Sequence, residues 1–346
     1  VDTSPGQRFR IEQWEPYLKR EGIEIAYSPF SDAGLVSVLQ RRGAVLQKAS
    51  HVMGALARRL REAFRAREYD LVYVFRETAL FGPAIAERVL QLAGVPYVFD
   101  FDDAVWVRYV SPSNRYFSYL RFPGKTRALA RGARRVMAGN PYLRDWALRY
   151  NRNVDIVPTT IETDVYRPLP PRQNRVPVIG WTGSFSTEQY LEVVRPALER
   201  LRSRHEFRLV VVGGGKFQAR GIEVEHRPWR SATEVADLSD FDIGLMPLPD
   251  AEWERGKCAL KALQYMALGV PPVVSPVGVN AEVVRDGVDG VLARDDREWE
   301  SAMEKLLLEG ELREGLGRSA RRRVEEAYSG AVHGPRVATL FRQAVA

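Results

Sequence analysis

"VIGWTGSFSTEQYL", residues 178–191, decides the fold. It opens as an apolar run of strand length, passes through Gly180, Gly183 and Ser184, and continues with the spacing of an amphipathic helix. A glycine-lined turn between a buried strand and a helix is the usual entrance to a doubly wound parallel sheet. Glycine lacks a Cβ, so its backbone N–H can approach an anion closely, and a helix N-terminus adds unpaired N–H groups and partial positive charge.

The rest of the chain repeats that pattern. Downstream of residue 178, "FRLVVVG", "IEVEHR", "DIGLMPL", "PPVVSP" and "GVLA" read as further strands with helical spacing between them. Upstream, "IEIAYS" (23–28), "DLVYVF" (70–75), "PYVFDF" (96–101), "RRVMAG" (134–139) and "VDIVPT" (154–159) alternate with helical patterns at 44–67, 79–93 and 141–150. The Pro-rich stretch "YRPLPPRQNRVP" (166–177) separates the two runs. Two such βα runs predict two Rossmann-like domains, 1–165 and 166–328, with a last helix over 329–346 that packs back on the first. Val1 opens a turn-like segment where a buried strand belongs. The first strand is therefore expected to be missing or supplied by another segment.

Composition sets outer limits. With 346 residues, 45% apolar and 27% charged, the chain suits two globular domains, with no repeat or low-complexity tract. No apolar run is long enough to cross a bilayer, the opening residues do not form a signal peptide, and Cys258 is the single cysteine. These features predict a cytoplasmic protein. The net charge of +7 is spread along the chain and is densest in "ALARRLREAFRAREY" (55–69) and "KTRALARGARRV" (125–136). A solvated helix face accounts for most of these arginines; a peripheral contact with an anionic membrane is the sharper reading. No zinc-finger spacing, RNA-recognition aromatic motif or helix-turn-helix pattern points to nucleic acid.

In the strand order 3-2-1-4-5-6, ligands bind where the first and fourth strands part. Here those strands end at "GWTGS" and "DIGLMPL", and the second leads into "PDAEWERGKCALKALQYMA", with a helix expected from about Lys257. Lys257 and Lys261 would then lie on one helix face. Together with Gly183, Ser184 and the amides of Cys258, Ala259 and Leu260 they describe a diphosphate pocket. A tight turn with two solvated lysines explains either loop alone. Arg227 and Trp229, after the third strand of this domain, stand at the height of a nucleobase, although core packing also accounts for Trp229.

The motifs "GWTGSFSTEQYL", "FDIGLMPLPDAEWERGKCALKALQYMALGVPPVVSPVGVN" and "VVRDGVDGVLA" resemble the C-terminal domain of retaining glycosyltransferases of family 4, which have the GT-B fold. "YVFDFDDAVW", "AGNPYLRDWA" and "VDIVPTTIETDVYRP" are similar to acceptor-domain and interdomain segments of one bacterial branch of that family. The resemblance implies two Rossmann-like domains facing across a cleft, with a sugar moving from a nucleotide diphosphate sugar to a glycan, lipid-linked or other hydroxyl acceptor. It implies no metal and no further cofactor. Gly256 and Gln264 occupy positions where many members carry two glutamates, the second on the ribose, and the usual Arg and Lys after the first strand are absent. Lys257, Lys261 and Ser184 are left to hold the diphosphate. On the acceptor side the resemblance points to Gly6, Arg8, Asp102, Asp103 and Asn140. Asp102 or Asp103 would orient the acceptor or the sugar, unless it caps the next helix, and Asn140 reads first as an N-cap before Pro141. Asp100 and Asp102 form an Asp-x-Asp that binds a metal in a different fold; the four histidines show no metal spacing. A nucleotide-sugar epimerase and a catalytically weak partner of another transferase are the alternative readings.

Overall fold

A computed structural model describes residues 5–30, 45–79, 82–107, 122, 124–169 and 176–346. The chain divides into two compact units: Glu15–Val157 with Pro335–Ala346, and Val1–Trp14 with Pro158–Gly334. The strands are β1 (Val72–Phe75), β2 (Tyr97–Phe101), β3 (Arg135–Ala138) and β4 (Val154–Ile156), then β5 (Val178–Thr182), β6 (Arg208–Val212), β7 (Val224–Arg227), β8 (Ile243–Met246), β9 (Pro272–Val274) and β10 (Val291–Leu292). The helices are α1 (Pro5–Arg10), α2 (Glu15–Arg20), α3 (Val45–Arg65), α4 (Ile85–Leu92), α5 (Gly124–Gly132), α6 (Pro141–Ala147), α7 (Arg195–Arg202), α8 (Ser231–Leu238), α9 (Glu252–Arg255), α10 (Leu260–Ala267), α11 (Asn280–Val283), α12 (Asp296–Leu308), α13 (Gly310–Ala327) and α14 (Gly330–Val345).

The first unit holds a four-stranded parallel sheet in the order β1-β2-β3-β4. Residues 23–28, expected as a strand, join no ladder among the described residues. They alternate in hydropathy but are half-buried at best, and Tyr27 and Ser28 spend their hydroxyls on Glu15 and Glu62. Among the described residues no neighbouring edge completes the segment's hydrogen bonds, and the alternating sequence there is an extended surface segment. β2 is buried along its whole length, as a central parallel strand must be. The end of α14 belongs to this unit: the Phe341 ring lies 5.7 Å from that of Tyr73, and Arg342 pairs with Glu21 at 2.8 Å.

The second unit holds six parallel strands in the order β10-β9-β8-β5-β6-β7. Counted within this unit, that is 3-2-1-4-5-6 read from the other edge, so the strand order reverses between β5 and β8. Side chains alternate along each buried strand and feed two cores. Val178, Val210, Val212, Met246 and Val274 meet α10 on one face, and Ile179, Trp181, Leu209, Val211, Ile243 and Leu245 meet α7 and α12 on the other. Gly180 and Gly244 are paired in register across the reversal. A Cβ on Gly244 would fall 2.4 Å from the Tyr265 ring, and one on Gly180 2.2 Å from that of Phe241. These glycines let two aromatic rings sit flush against the sheet. The Tyr265 hydroxyl accepts from the Thr182 N–H at 2.9 Å and donates to the Leu245 carbonyl at 3.3 Å, tying β5 and β8 together at their carboxyl ends. Burial pushes that hydroxyl's pKa well up, so it stays protonated.

Candidate functional site

Where β5 and β8 part, two loops and the start of α10 build the candidate site. Gly183 follows β5 directly, and a Cβ there would fall 2.5 Å from the Trp181 ring. Its N–H donates to the Val212 carbonyl at 3.0 Å, so that amide serves the sheet rather than a diphosphate. Ser184 comes next; its carbonyl accepts from the Thr187 and Glu188 amides, and its hydroxyl lies 2.8 Å from that of Ser186. Glu188, which closes this loop, ties it to the turn after β6: its Oε1 accepts from the amides of Gly215, Lys216 and Phe217 at 2.7, 2.8 and 2.8 Å. Burial alone would raise the Glu188 pKa. The three amides outweigh it and hold the carboxyl below its ordinary value.

Beyond β8 the expected helix start near Lys257 is displaced. α9 ends at Arg255 with Gly256 as its C-cap, Ala259 takes a left-handed backbone with φ 56°, and α10 begins only at Leu260. Lys257 therefore precedes the helix instead of lying one turn before Lys261 on it. The chain reversal at Ala259 nonetheless leaves both lysines over aromatic rings. The Lys261 ammonium is 5.5 Å from the Trp181 ring centroid, the same ring that packs on Gly183. That of Lys257 is 5.9 Å from the Tyr190 ring and 5.8 Å from the Trp253 ring. A ring face attracts an ammonium by about 0.5–1 kcal/mol without cancelling its charge. Tyr190 also donates its hydroxyl to the buried carboxylate of Glu254. Gly256 and Cys258 are buried between the two short helices, and the thiol of Cys258 lies 3.7 Å from the Gly256 carbonyl.

Gln264, one turn into α10, sits in a buried polar cluster. Its Nε2 donates to Glu234 Oε1 at 3.0 Å and to the Tyr166 hydroxyl at 3.3 Å. Glu234 also accepts from Trp229 Nε1 at 2.9 Å, from the Tyr166 hydroxyl at 2.5 Å and from the Arg8 guanidinium. Burial, then the neighbouring Glu234 charge, drive the Tyr166 pKa upward, so its hydroxyl remains a donor. Arg8 and Gly6, expected on the acceptor side, lie in α1, which belongs to the second unit, and Arg8 is part of this cluster. Arg227 stands apart from it, paired with Glu225 and Asp240 at 2.7 Å each and with Asp237 at 3.6 Å.

In the first unit, Asp102 and Asp103 follow β2 and are both held by Arg76, at 2.6 and 2.7 Å. Arg76 directly follows β1 with φ 59°, a left-handed conformation costing a non-glycine residue roughly 1–2 kcal/mol. Asp100 is fully buried and accepts from the Tyr73 hydroxyl, so the two acids of the Asp-x-Asp are engaged by different partners. Asn140 is the N-cap of α6, accepting from the Leu143 N–H at 2.8 Å, with Pro141 at the first helical position. The residues that sequence reasoning missed are Arg76, Glu188, Glu234, Glu254 and Tyr166. Only Arg76 left a local signal, a cation immediately after the apolar run of β1.

Residues 176–309 match the family model of group 1 glycosyl transferases. No curated protein matches the chain. Among the many solved structures that share its fold, three illustrate the likeness. Sucrose-phosphate synthase from Thermosynechococcus elongatus is 15% identical over 99% of this chain and 94% of its own, with a TM-score of 0.67. HepE of Anabaena, solved in complex with UDP-glucose, is 16% identical over 97% of this chain and 96% of its own, also at 0.67. A glycosyltransferase from Rickettsia africae is 13% identical over 100% and 97%, at 0.66. The architecture is thus the GT-B fold, and the stretch from 176 to 309 that carries the family match contains Gly183, Ser184, Lys257, Lys261 and Gln264.

Proposed function

We propose that the chain is a retaining, metal-independent glycosyltransferase of the family 4 type, which moves a sugar from a nucleotide diphosphate sugar to a hydroxyl acceptor. The observation that carries this reading is the pair Lys257 and Lys261, set on ring faces beside the first turn of α10 where β5 and β8 part. That point of a doubly wound sheet is where a nucleotide's phosphates lie. The donor diphosphate takes the two ammonium groups, the Ser184 hydroxyl and the amides at the start of α10. As the sugar–phosphate bond breaks, negative charge grows on the leaving diphosphate. Fixed cations and dipoles stabilise that charge without reorganisation, which is the principal catalytic term in such transfers. A uridine donor is favoured by HepE, whose complex holds UDP-glucose.

In this reading Asp102 and Asp103, clasped by Arg76, orient the acceptor or the sugar, and the acceptor is a glycan or a lipid-linked hydroxyl. A peripheral contact with an anionic membrane is proposed for α3, where Met53, Arg61, Phe64 and Arg65 are exposed. Among the described residues no helix is long and apolar enough to cross a membrane.

Thermal unfolding against UDP, GDP, ADP and TDP tests the donor site. A ligand at a hundred times its dissociation constant stabilises by about 2.7 kcal/mol. A rise with UDP, retained in the presence of a chelator, is expected. No rise with any of the four would remove the donor reading, and a rise that vanishes with chelator would remove its metal independence. Binding without transfer to any acceptor would make the chain a weak partner of another transferase.

A further inference from the structure

Gln264 and Glu234 meet at 3.0 Å in the second unit, and each is only 3% exposed. A buried carboxylate can only accept hydrogen bonds, and Glu234 already draws the Trp229 N–H, the Tyr166 hydroxyl and the Arg8 guanidinium. The atom of Gln264 that faces it must therefore be the amide nitrogen. The same nitrogen also reaches the Tyr166 oxygen at 3.3 Å, so both contacts turn the N–H group one way and the amide oxygen the other. Lys261 lies three residues earlier on α10, on the same helix face and about one turn nearer the helix start. With a diphosphate at the lysines, the next group of a nucleotide along that face is its ribose, a donor of two hydroxyl hydrogens.

We propose that Glu234 is a positioning residue of the donor site: it fixes the Gln264 amide so that Oε1 is presented to the ribose hydroxyls, and its charge makes glutamine, not glutamate, the residue that fits position 264. This rests on the nucleotide-sugar reading of the site. The cluster supplies the negative charge from one shell behind the ligand, with Arg8 balancing it. A glutamate at 264 would set a second carboxylate against the first. The single guanidinium of Arg8 would then face two carboxylates, and the other titratable groups that interact with the cluster among the described residues are the Tyr166 hydroxyl and the Glu162 carboxyl. The apparent defect of a missing glutamate is then a compensated exchange, whose other half lies thirty residues away in sequence.

The test is calorimetric titration of the full chain with UDP, using Gln264→Glu, Glu234→Gln and the double variant, at several pH values. Gln264→Glu is expected to weaken UDP by about tenfold or more at neutral pH, because two carboxylates that close cannot both ionise, and the loss should shrink as the pH falls. The double variant restores one acid and one amide, and should return to within about threefold of the parent, a rescue that mere packing would not give. Glu234→Gln alone frees the amide to turn and should weaken UDP several-fold; this arm stands even if Gln264→Glu fails to fold. Equal or tighter binding by Gln264→Glu, no rescue in the double variant, or unchanged binding by Glu234→Gln would overturn the inference while leaving the donor site intact. No UDP binding by the parent chain would overturn both.

Discussion

The carboxyl ends of the two sheets solve the placement of charge in opposite ways. At the end of β1 and β2 a single cation, Arg76, is clasped by Asp102 and Asp103 at 2.6 and 2.7 Å. At the end of β5 and β8 the cations Lys257 and Lys261 rest on the faces of Tyr190, Trp253 and Trp181. An ion pair fixes a guanidinium against its carboxylates, whereas a ring face orients an ammonium without cancelling its charge. The first arrangement suits the holding of carboxylates in a fixed direction. The second suits an ammonium turned toward an anion, the role proposed for Lys257 and Lys261 at a donor diphosphate.

The largest effect expected from that contrast is catalytic. Lys261→Ala and Lys257→Ala should each lower kcat/KM by about 10²–10³, the loss typical when one stabilising group is removed from a developing anion. Their unfolding midpoints should change far less than their turnover, because the work proposed for them is on the diphosphate; a ring-face contact is itself worth only about 1 kcal/mol. Arg76→Ala should cost less than about tenfold and act through the acceptor's KM, since it removes the guanidinium that holds two carboxylates and does not lie at the proposed diphosphate site. If steady-state kinetics rank Arg76→Ala above Lys261→Ala, the assignment of charge to the two edges is reversed.

Tyr265→Phe probes the lock that positions the donor edge. It leaves the Thr182 N–H without its acceptor in a fully buried place, and should cost about 1–3 kcal/mol in urea unfolding. Turnover of the folded fraction should fall too, because Thr182 leads straight into Gly183. A loss of stability with intact turnover would mean that the Gly183 loop is held by Glu188 and not by Tyr265.

Glu188 makes that alternative measurable through pH. Its folded pKa is depressed, so its contribution to stability is complete above the unfolded carboxylate value of about 4.3 and is lost as the pH falls through the lower folded value. The parent should lose stability across that acid window more steeply than Glu188→Gln, which still accepts hydrogen bonds but carries no titrating charge. Equal slopes below about pH 5 would show that the amides of residues 215–217 do not depend on the ionised carboxylate.

Much of this architecture is legible in the sequence because buried parallel strands read as unbroken apolar runs: VIGWT, RLVVV and IGLM are each strands in place. The run at 23–28 misleads because alternation records only which faces would be wet, not whether an edge exists to pair with. The start of α10 is hidden for another reason. Alanine at 259 gives no hint of a left-handed turn, since that conformation normally selects glycine, and the shift moves Lys257 off the helix. The cluster around Glu234 is less visible still. Residues 8, 166, 229, 234 and 264 meet only after four segments have folded together, and no local spacing records it.

The smallest effect separates cap from contact at Asn140. Its side chain accepts from the Leu143 N–H, and an N-cap of this kind is worth about 1 kcal/mol. Asn140→Ala should lose that stability with kcat/KM per folded molecule within about threefold of the parent. Asn140→Asp keeps the capping oxygen and sets a charge at the N-terminus of α6, where the helix dipole welcomes it. It should therefore unfold at or slightly above the parent's midpoint. If this aspartate variant is as stable as the parent yet raises the acceptor's KM, Asn140 touches the acceptor and the first edge binds substrate as well as shaping carboxylates. If its kinetics are unchanged, the residue is a cap alone, and acceptor recognition at this edge falls to Asp102 and Asp103.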